Sequence, residues 1–180
     1  MDQTDTSTLN RIDFGTFVWI NIDSPSAEAL NDLATRYPFH HLDIEDCLSK
    51  TQLPKIDEYA DYLFIILHFP RFRKEMKYSV PQQVSIFLGK DFLVTVHTGE
   101  IKPITRLFES YVNHNDNSNG RCAINESSCN SPQLLLYRLI HTCAENLMLM
   151  LGKVMFNIEQ IEEKVFDEKL DAVREVAELR

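Results

Sequence analysis

Two short runs of carboxylates are the residues most able to do chemistry: Asp43, Glu45 and Asp46, then Asp57, Glu58 and Asp61. Oxygen ligands without a thiolate among them suit hard dications such as Mg²⁺ or Ca²⁺ rather than soft metals. Mg²⁺ keeps most of its waters and takes only one or two carboxylates, so a magnesium site leaves little trace in a sequence. Taken alone, the commoner role of such acids is as helix-start and surface charges that complement a helix dipole. His40 and His41 are adjacent, and neighbours on a helix point about 100° apart. That spacing suits a helix start or the core better than shared chelation.

Catalytic patterns are missing. There is no G-x-G-x-x-G or phosphate-loop pattern, no G-x-S-x-G elbow, and no cysteine placed beside a histidine for nucleophilic work. A metal-dependent hydrolase built on Asp43, Glu45 and Asp46 would lack a nucleophile and a substrate cradle. The sequence therefore reads as a protein that is not an enzyme. Cys122 and Cys129 with His114 do not have zinc-knuckle spacing. Cys47 and Cys143 fall in or beside helices, and the set suits a reducing compartment.

The 180 residues carry a formal charge of -9, which disfavours nucleic-acid phosphates and anionic lipid as partners. Met1–Asn10 is polar and is not a signal peptide. No uninterrupted apolar run approaches the roughly 20 residues that cross a bilayer, so the chain is expected to be soluble.

The elements that must position the acids follow from periodicity. Thr16–Ile22 is apolar almost throughout and reads as a buried strand. Asp23-Ser24-Pro25 reads as the start of a helix with Ala27, Leu30, Leu33 and Ala34 inward, ended by Pro38. His41–Leu48 is a short helix with Ile44 and Leu48 inward, Leu42 nearby, and Glu45 and Asp46 on its more exposed side. Tyr62–Phe69 and Gln83–Leu88 are strands joined through the polar link 71–77, whose cations suit a solvated edge. Gly89-Lys90-Asp91 turns into a strand at Phe92–Val96, making a meander to which Thr16–Ile22 joins through a helical connection. Pro103–Val112 is a helix with Ile104, Leu107, Phe108 and Tyr111 inward. Residues 113–131, rich in Asn and Ser, read as a loop.

From Pro132 apolar residues recur every three or four positions: Leu136, Leu139, Ile140, Cys143, Leu147, Leu151, Val154, Ile158, Ile161 and Val165. This predicts one helix of about 35 residues, about 50 Å long, whose far end projects and needs a partner. Asp167–Lys169 reads as a turn into a further amphipathic helix, as in a fragment of something longer.

Several segments, in order, resemble the CorA-type divalent-cation (Mg²⁺/Co²⁺) transporter family in its N-terminal cytoplasmic domain. They are Trp19-Ile20-Asn21-Ile22, Phe39 to Asp46, Gln52-Leu53-Pro54-Lys55-Ile56-Asp57-Glu58-Tyr59, Gln83 to Leu88, Phe92 to Val96, and Leu135 to Ile140. His41 stands where the family usually has proline, and Leu53 where it has arginine. The family's glycine-methionine-asparagine pore signature is absent.

Elements and resemblance together imply an α/β (α+β) fold. It is a mixed, largely antiparallel sheet flanked by helices, an α/β/α sandwich, followed by long projecting helices. The division is expected as 1–131 for the α/β domain and 132–180 for the helical part leading toward stalk and membrane segments. By resemblance the function is that of the cytoplasmic, Mg²⁺-sensing regulatory domain of a homopentameric channel at the inner face of the cell membrane. The membrane would be met only through helices beyond residue 180. The resemblance places metal ligands at Asp46 and Glu45 on the short helix. It places a second pair at His141, where an acid is sometimes found, and Glu145. The imidazole leaves Co²⁺ or Zn²⁺ open beside Mg²⁺. The alternatives are the zinc-transporting branch of the superfamily and a soluble coiled-coil oligomerisation module.

Overall fold

Alternation of apolar side chains along the strands sets the layers. In neighbouring positions Trp19, Ile65, Ile86 and Leu93 enter one core, while Ile20, Phe64, Phe87 and Val94 enter another. A sheet apolar on both faces needs helices on both, and the chain supplies them. A computed structural model describes residues 8–49, 52–73, 78–98, 101–116 and 130–178. Six strands, β1 (Thr8–Asp13), β2 (Val18–Asp23), β3 (Lys55–Glu58), β4 (Tyr62–Arg73), β5 (Tyr78–Gly89) and β6 (Phe92–His97), form one sheet in the order β1-β2-β6-β5-β4-β3. Only the β2–β6 pair is parallel. Leu30 and Leu33 of α1 (Ala27–Arg36) and Ile44 and Cys47 of α2 (His41–Leu48) fill one face. Ile104, Phe108 and Tyr111 of α3 (Lys102–Asp116) fill the other, with Leu135, Leu139 and Cys143 of α4 (Pro132–Glu178). The expected mixed sheet flanked by helices is the observed architecture.

Several local expectations need correction. β1 was not anticipated. It follows from Leu9 and Ile12 flanking polar residues, and from a turn in which Gly15 takes φ 83° and donates its N–H to Asp13 Oδ1 at 2.8 Å. The N-cap of α1 is Ser26, not the Ser24 region: its Oγ accepts from the N–H of Ala29 at 3.2 Å. β4 and β5 are 12 residues each and pair from Tyr62↔Gly89 to Arg73↔Tyr78, so Arg71 to Arg73 are strand rather than link. Past Ile66 and Val84 this ribbon has lost its outer partners β3 and β6, which is why the facing Pro70 and Pro81 are tolerated. Within α2, Leu42 and Leu48 are exposed, and Asp43, Ile44 and Cys47 are the buried residues.

The chain divides into two compact units, Met1–Cys143 and Ala144–Arg180, so the boundary lies inside α4. Asp167–Lys169 is no turn. With neither Gly nor Pro between Asp167 and Glu178 to break it, the 47-residue α4 continues to Glu178. Its stretch Pro132–Val165 has the length and composition of a bilayer span, because charges are sparse among its first residues. The first turns nevertheless bury Leu135, Leu139 and Cys143 in the core beside the sheet. From Leu151 to Val165 every side chain is exposed, including Leu151, Val154, Ile158 and Ile161. The Asn/Ser-rich segment between 117 and 129, with Cys122 and Cys129, lies outside the described residues.

Candidate metal centre

Helix α2 is fixed by polar contacts at its start. Its N-cap is His40, whose Nδ1 accepts from the N–H of Leu42 at 3.3 Å. The His40 N–H donates to the Tyr62 hydroxyl at 2.8 Å, and that hydroxyl donates to Asp43 Oδ2 at 2.7 Å. Tyr59 donates to Asp43 Oδ1 at 3.1 Å. Asp43 is thus buried and satisfied by two tyrosines of the adjoining strand region. Burial raises its pKa, against the lowering effect of those two hydrogen bonds. Burial likewise raises Tyr62 and Tyr59, and the carboxylate they serve adds to it. Sequence reasoning grouped Asp43 with Glu45 and Asp46, but the fold spends it on anchoring.

Glu45 and Asp46 are less buried than Asp43. Glu45 is exposed. Asp46 keeps 16% of its side chain exposed and forms an ion pair with Lys55, Oδ2 to Nζ at 2.7 Å. The same Nζ lies 2.7 Å from Asp57 Oδ2 and 5.4 Å from the centre of the Phe64 ring. Lys55 and Asp57 are two apart on β3, so they share the face turned toward α2. Asp46 first, then Asp57, holds the ammonium protonated well above its usual range. The backbone of Asp46 is fixed too. Gln83 Nε2 donates to its carbonyl at 2.9 Å, and Gln83 Oε1 accepts the N–H of Gln52 at 3.0 Å. Lys55 and Gln83 were missed as site residues. The one available signal for Lys55 was its alternation with Asp57 after Pro54.

The donor chemistry here fits a hard cation. The oxygens of Asp46, Asp57 and Glu45 are the ligands on offer. Cys47, the nearest thiol in sequence, is buried and pushed up to about 12, so it offers no thiolate. An ammonium already held between two carboxylates marks a place that stabilises positive charge. His141 and Glu145 are both exposed on α4, with the His141 ring 5.9 Å from that of Tyr137. Among the described residues, no three His, Cys, Asp or Glu side chains converge as a complete ligand set. Any metal at Asp46 must therefore complete its shell with water or with groups from elsewhere.

A second buried polar group, on the α3/α4 face, is structural. The Trp19 indole donates to Thr95 Oγ1 at 3.1 Å, which donates to Asn21 Oδ1 at 2.6 Å. His97 Nε2 lies 3.0 Å from the same Asn21 oxygen, so that nitrogen carries the proton. Its Nδ1 faces Asp23 Oδ1 at 3.8 Å. Burial lowers the pKa of His97, with Asp23 partly opposing.

The family model described as CorA-like Mg²⁺ transporter protein matches residues 14–180. The cobalt/magnesium transport protein CorA of Thermotoga maritima is 26% identical over 162 residues, 89% of this chain and 44% of that protein. Its namesake from Methanocaldococcus jannaschii is 27% identical over 101 residues, 55% of this chain and 31% of that protein. YfjQ of Bacillus subtilis is 34% identical over 91 residues, 51% of this chain and 27% of that protein. The chain thus spans less than half the length of these relatives. The solved soluble domain of CorA from Methanocaldococcus jannaschii has the same fold. It superposes with a TM-score of 0.66 at 21% identity, covering 84% of this chain and 56% of that one. With residues 14–180 matched by its model, the chain belongs to the CorA-like Mg²⁺ transporter protein family.

Proposed function

We propose that the chain is the cytoplasmic, Mg²⁺-sensing domain of a CorA-type magnesium/cobalt transporter that works as a homopentamer at the inner face of the cell membrane. The observation that carries the reading is the Asp46 corner of α2. A partly exposed carboxylate, with Glu45 exposed beside it, already holds a positive charge. Leu42 on the same helix is 51% exposed, which suits a surface that meets another subunit. Acids of two subunits facing each other repel. A hydrated Mg²⁺ between them removes the repulsion and holds the boundary shut. When the ion is scarce the boundary loosens and the pore opens. Coupling of this kind requires the ion to prefer the closed assembly, since only differential affinity shifts an equilibrium. His141 and Glu145 form a second candidate contact for the ion on α4.

The test is Asp46→Ala in the complete membrane-embedded transporter, with ion flux into liposomes followed over a Mg²⁺ titration. Flux should persist at Mg²⁺ concentrations that silence the unmutated protein. An unchanged inhibition curve rejects Asp46 as part of the sensor. Parallel titrations with Co²⁺ and Zn²⁺ decide the ion; the relatives from Thermotoga maritima and Methanocaldococcus jannaschii are named cobalt/magnesium transport proteins. A second reading, oligomerisation through α4, draws on the exposed apolar residues from Leu151 to Val165. Assembly of the isolated chain that ignores Mg²⁺ in sedimentation would favour it.

A further inference from the structure

Lys55 stands where an arriving cation would have to go. Its ammonium is within 2.7 Å of Asp46 Oδ2 and within 2.7 Å of Asp57 Oδ2, so two of its three donors are spent on the two carboxylates. The placement is built in rather than incidental. The register Lys55↔Ile66 fixes the lysine on β3, and Gln83 fixes the Asp46 carbonyl from β5. The lysine side chain is 36% exposed, against 16% for Asp46. The ammonium therefore has a route out to water on its flexible stem, whereas the carboxylate stays where it is. A magnesium ion takes one or two carboxylates and fills its remaining positions with water. Asp46 and Asp57 would supply that number once the ammonium had left.

We propose that Lys55 is a tethered competitor for the divalent cation at Asp46, and that its displacement sets the concentration at which the site fills. The inference rests on the reading of Asp46 as a cation ligand and adds what governs its affinity. In the ion-free chain, Lys55 neutralises the acids and keeps α2 and β3 together. On binding, the dication takes over both carboxylates and the ammonium swings into solvent. Without the competitor the site would fill at lower ion concentrations and lose its range as a sensor. Arginine at 55 can keep the competing charge, whereas a neutral side chain cannot.

The experiment measures Mn²⁺ binding to the 180-residue chain by the loss of the free-ion electron paramagnetic resonance signal. The proteins compared are the unmutated chain, Lys55→Gln, Lys55→Arg, Asp46→Asn and the double variant Lys55→Gln/Asp46→Asn. Replacing two partly exposed ion pairs should tighten binding about tenfold in Lys55→Gln. Lys55→Arg should stay near the unmutated chain, and the double variant should lose the gain. Equal or weaker binding by Lys55→Gln, with Asp46→Asn still impaired, overturns the role of Lys55 and leaves Asp46 as a ligand. Binding that ignores Asp46 in every background overturns both. A second measurement needs no mutation. The Lys55 Cε–Hε nuclear resonance signal should shift during a Mg²⁺ titration of the unmutated chain, and a signal that stays fixed at saturation overturns the displacement.

Discussion

The Tyr62 hydroxyl sits 2.7 Å from Asp43 Oδ2 while accepting the N–H of His40, so one phenol ties β4 to both the cap and the first turn of α2. Tyr62→Phe leaves a buried carboxylate short of a donor and the cap N–H short of an acceptor. The expected loss is about 2–3 kcal/mol of unfolding free energy by urea denaturation. Tyr59→Phe, at a longer 3.1 Å bond and a more exposed position, should cost about 1 kcal/mol. Equal costs would mean that the two phenols share the anchoring evenly.

His97 should make the domain acid-sensitive. Its pKa lies below the ordinary 6.5 because burial opposes the charged ring. The unfolded chain therefore takes up a proton that the folded chain refuses. The stabilising contribution is complete above 6.5 and is lost as pH falls through the lower, folded value. Urea midpoints at about pH 7.5 and about pH 5.5 should differ less in His97→Gln than in the unmutated chain.

Gly89 ends β5 against the ring of Phe92. A Cβ at Gly89 would lie 2.2 Å from Phe92 Cε1, and that ring is itself packed against Phe39 and Tyr37. Gly89→Ala should lose about 1–3 kcal/mol in denaturant unfolding. Combining it with Phe92→Leu should be less costly than the sum of the two changes, since the shorter side chain removes the clash.

Helix α4 should respond differently along its length. Leu139 is fully buried beside the sheet, and Leu139→Ala should cost about 2–5 kcal/mol. Ile158 is 50% exposed, and Ile158→Ala should change the unfolding of the monomer by no more than about 0.5 kcal/mol. A large loss at Ile158 would reveal self-association at the concentration used.

The layered fold was legible because its strands are apolar at successive positions and its helices are apolar every third or fourth. Trp19 beside Ile20 and Leu93 beside Val94 already demand two covered faces. β1 and β3 escaped because an edge strand has one neighbour and so little apolar demand: Lys55-Ile56-Asp57-Glu58 pairs only with β4, and Ile56 is left exposed. The expected break at Asp167 failed because the Glu168 and Lys169 that follow it are good helix formers and a polar stretch alone does not stop a helix. On α2, the exposed place of Glu45 followed from helix geometry, whereas its naming with Asp46 as a ligand came from the resemblance alone. The separation of Asp43 from them depends on Tyr59 and Tyr62, and the pairing of Asp46 depends on Lys55. Both are contacts between segments, which spacing along a single helix does not encode.

The parallel seam between β2 and β6 has a consequence for biosynthesis. Its partners Val18↔Phe92 and Asp23↔His97 are separated by most of the domain, so β2 has no central neighbour until β6 has been made. The hairpins of β4, β5 and β6 close over shorter distances and should form first as the nascent chain lengthens. Until then the edge of β2 that faces away from β1 is open and apolar, which makes a stalled or truncated translation product of this protein a natural client for chaperones.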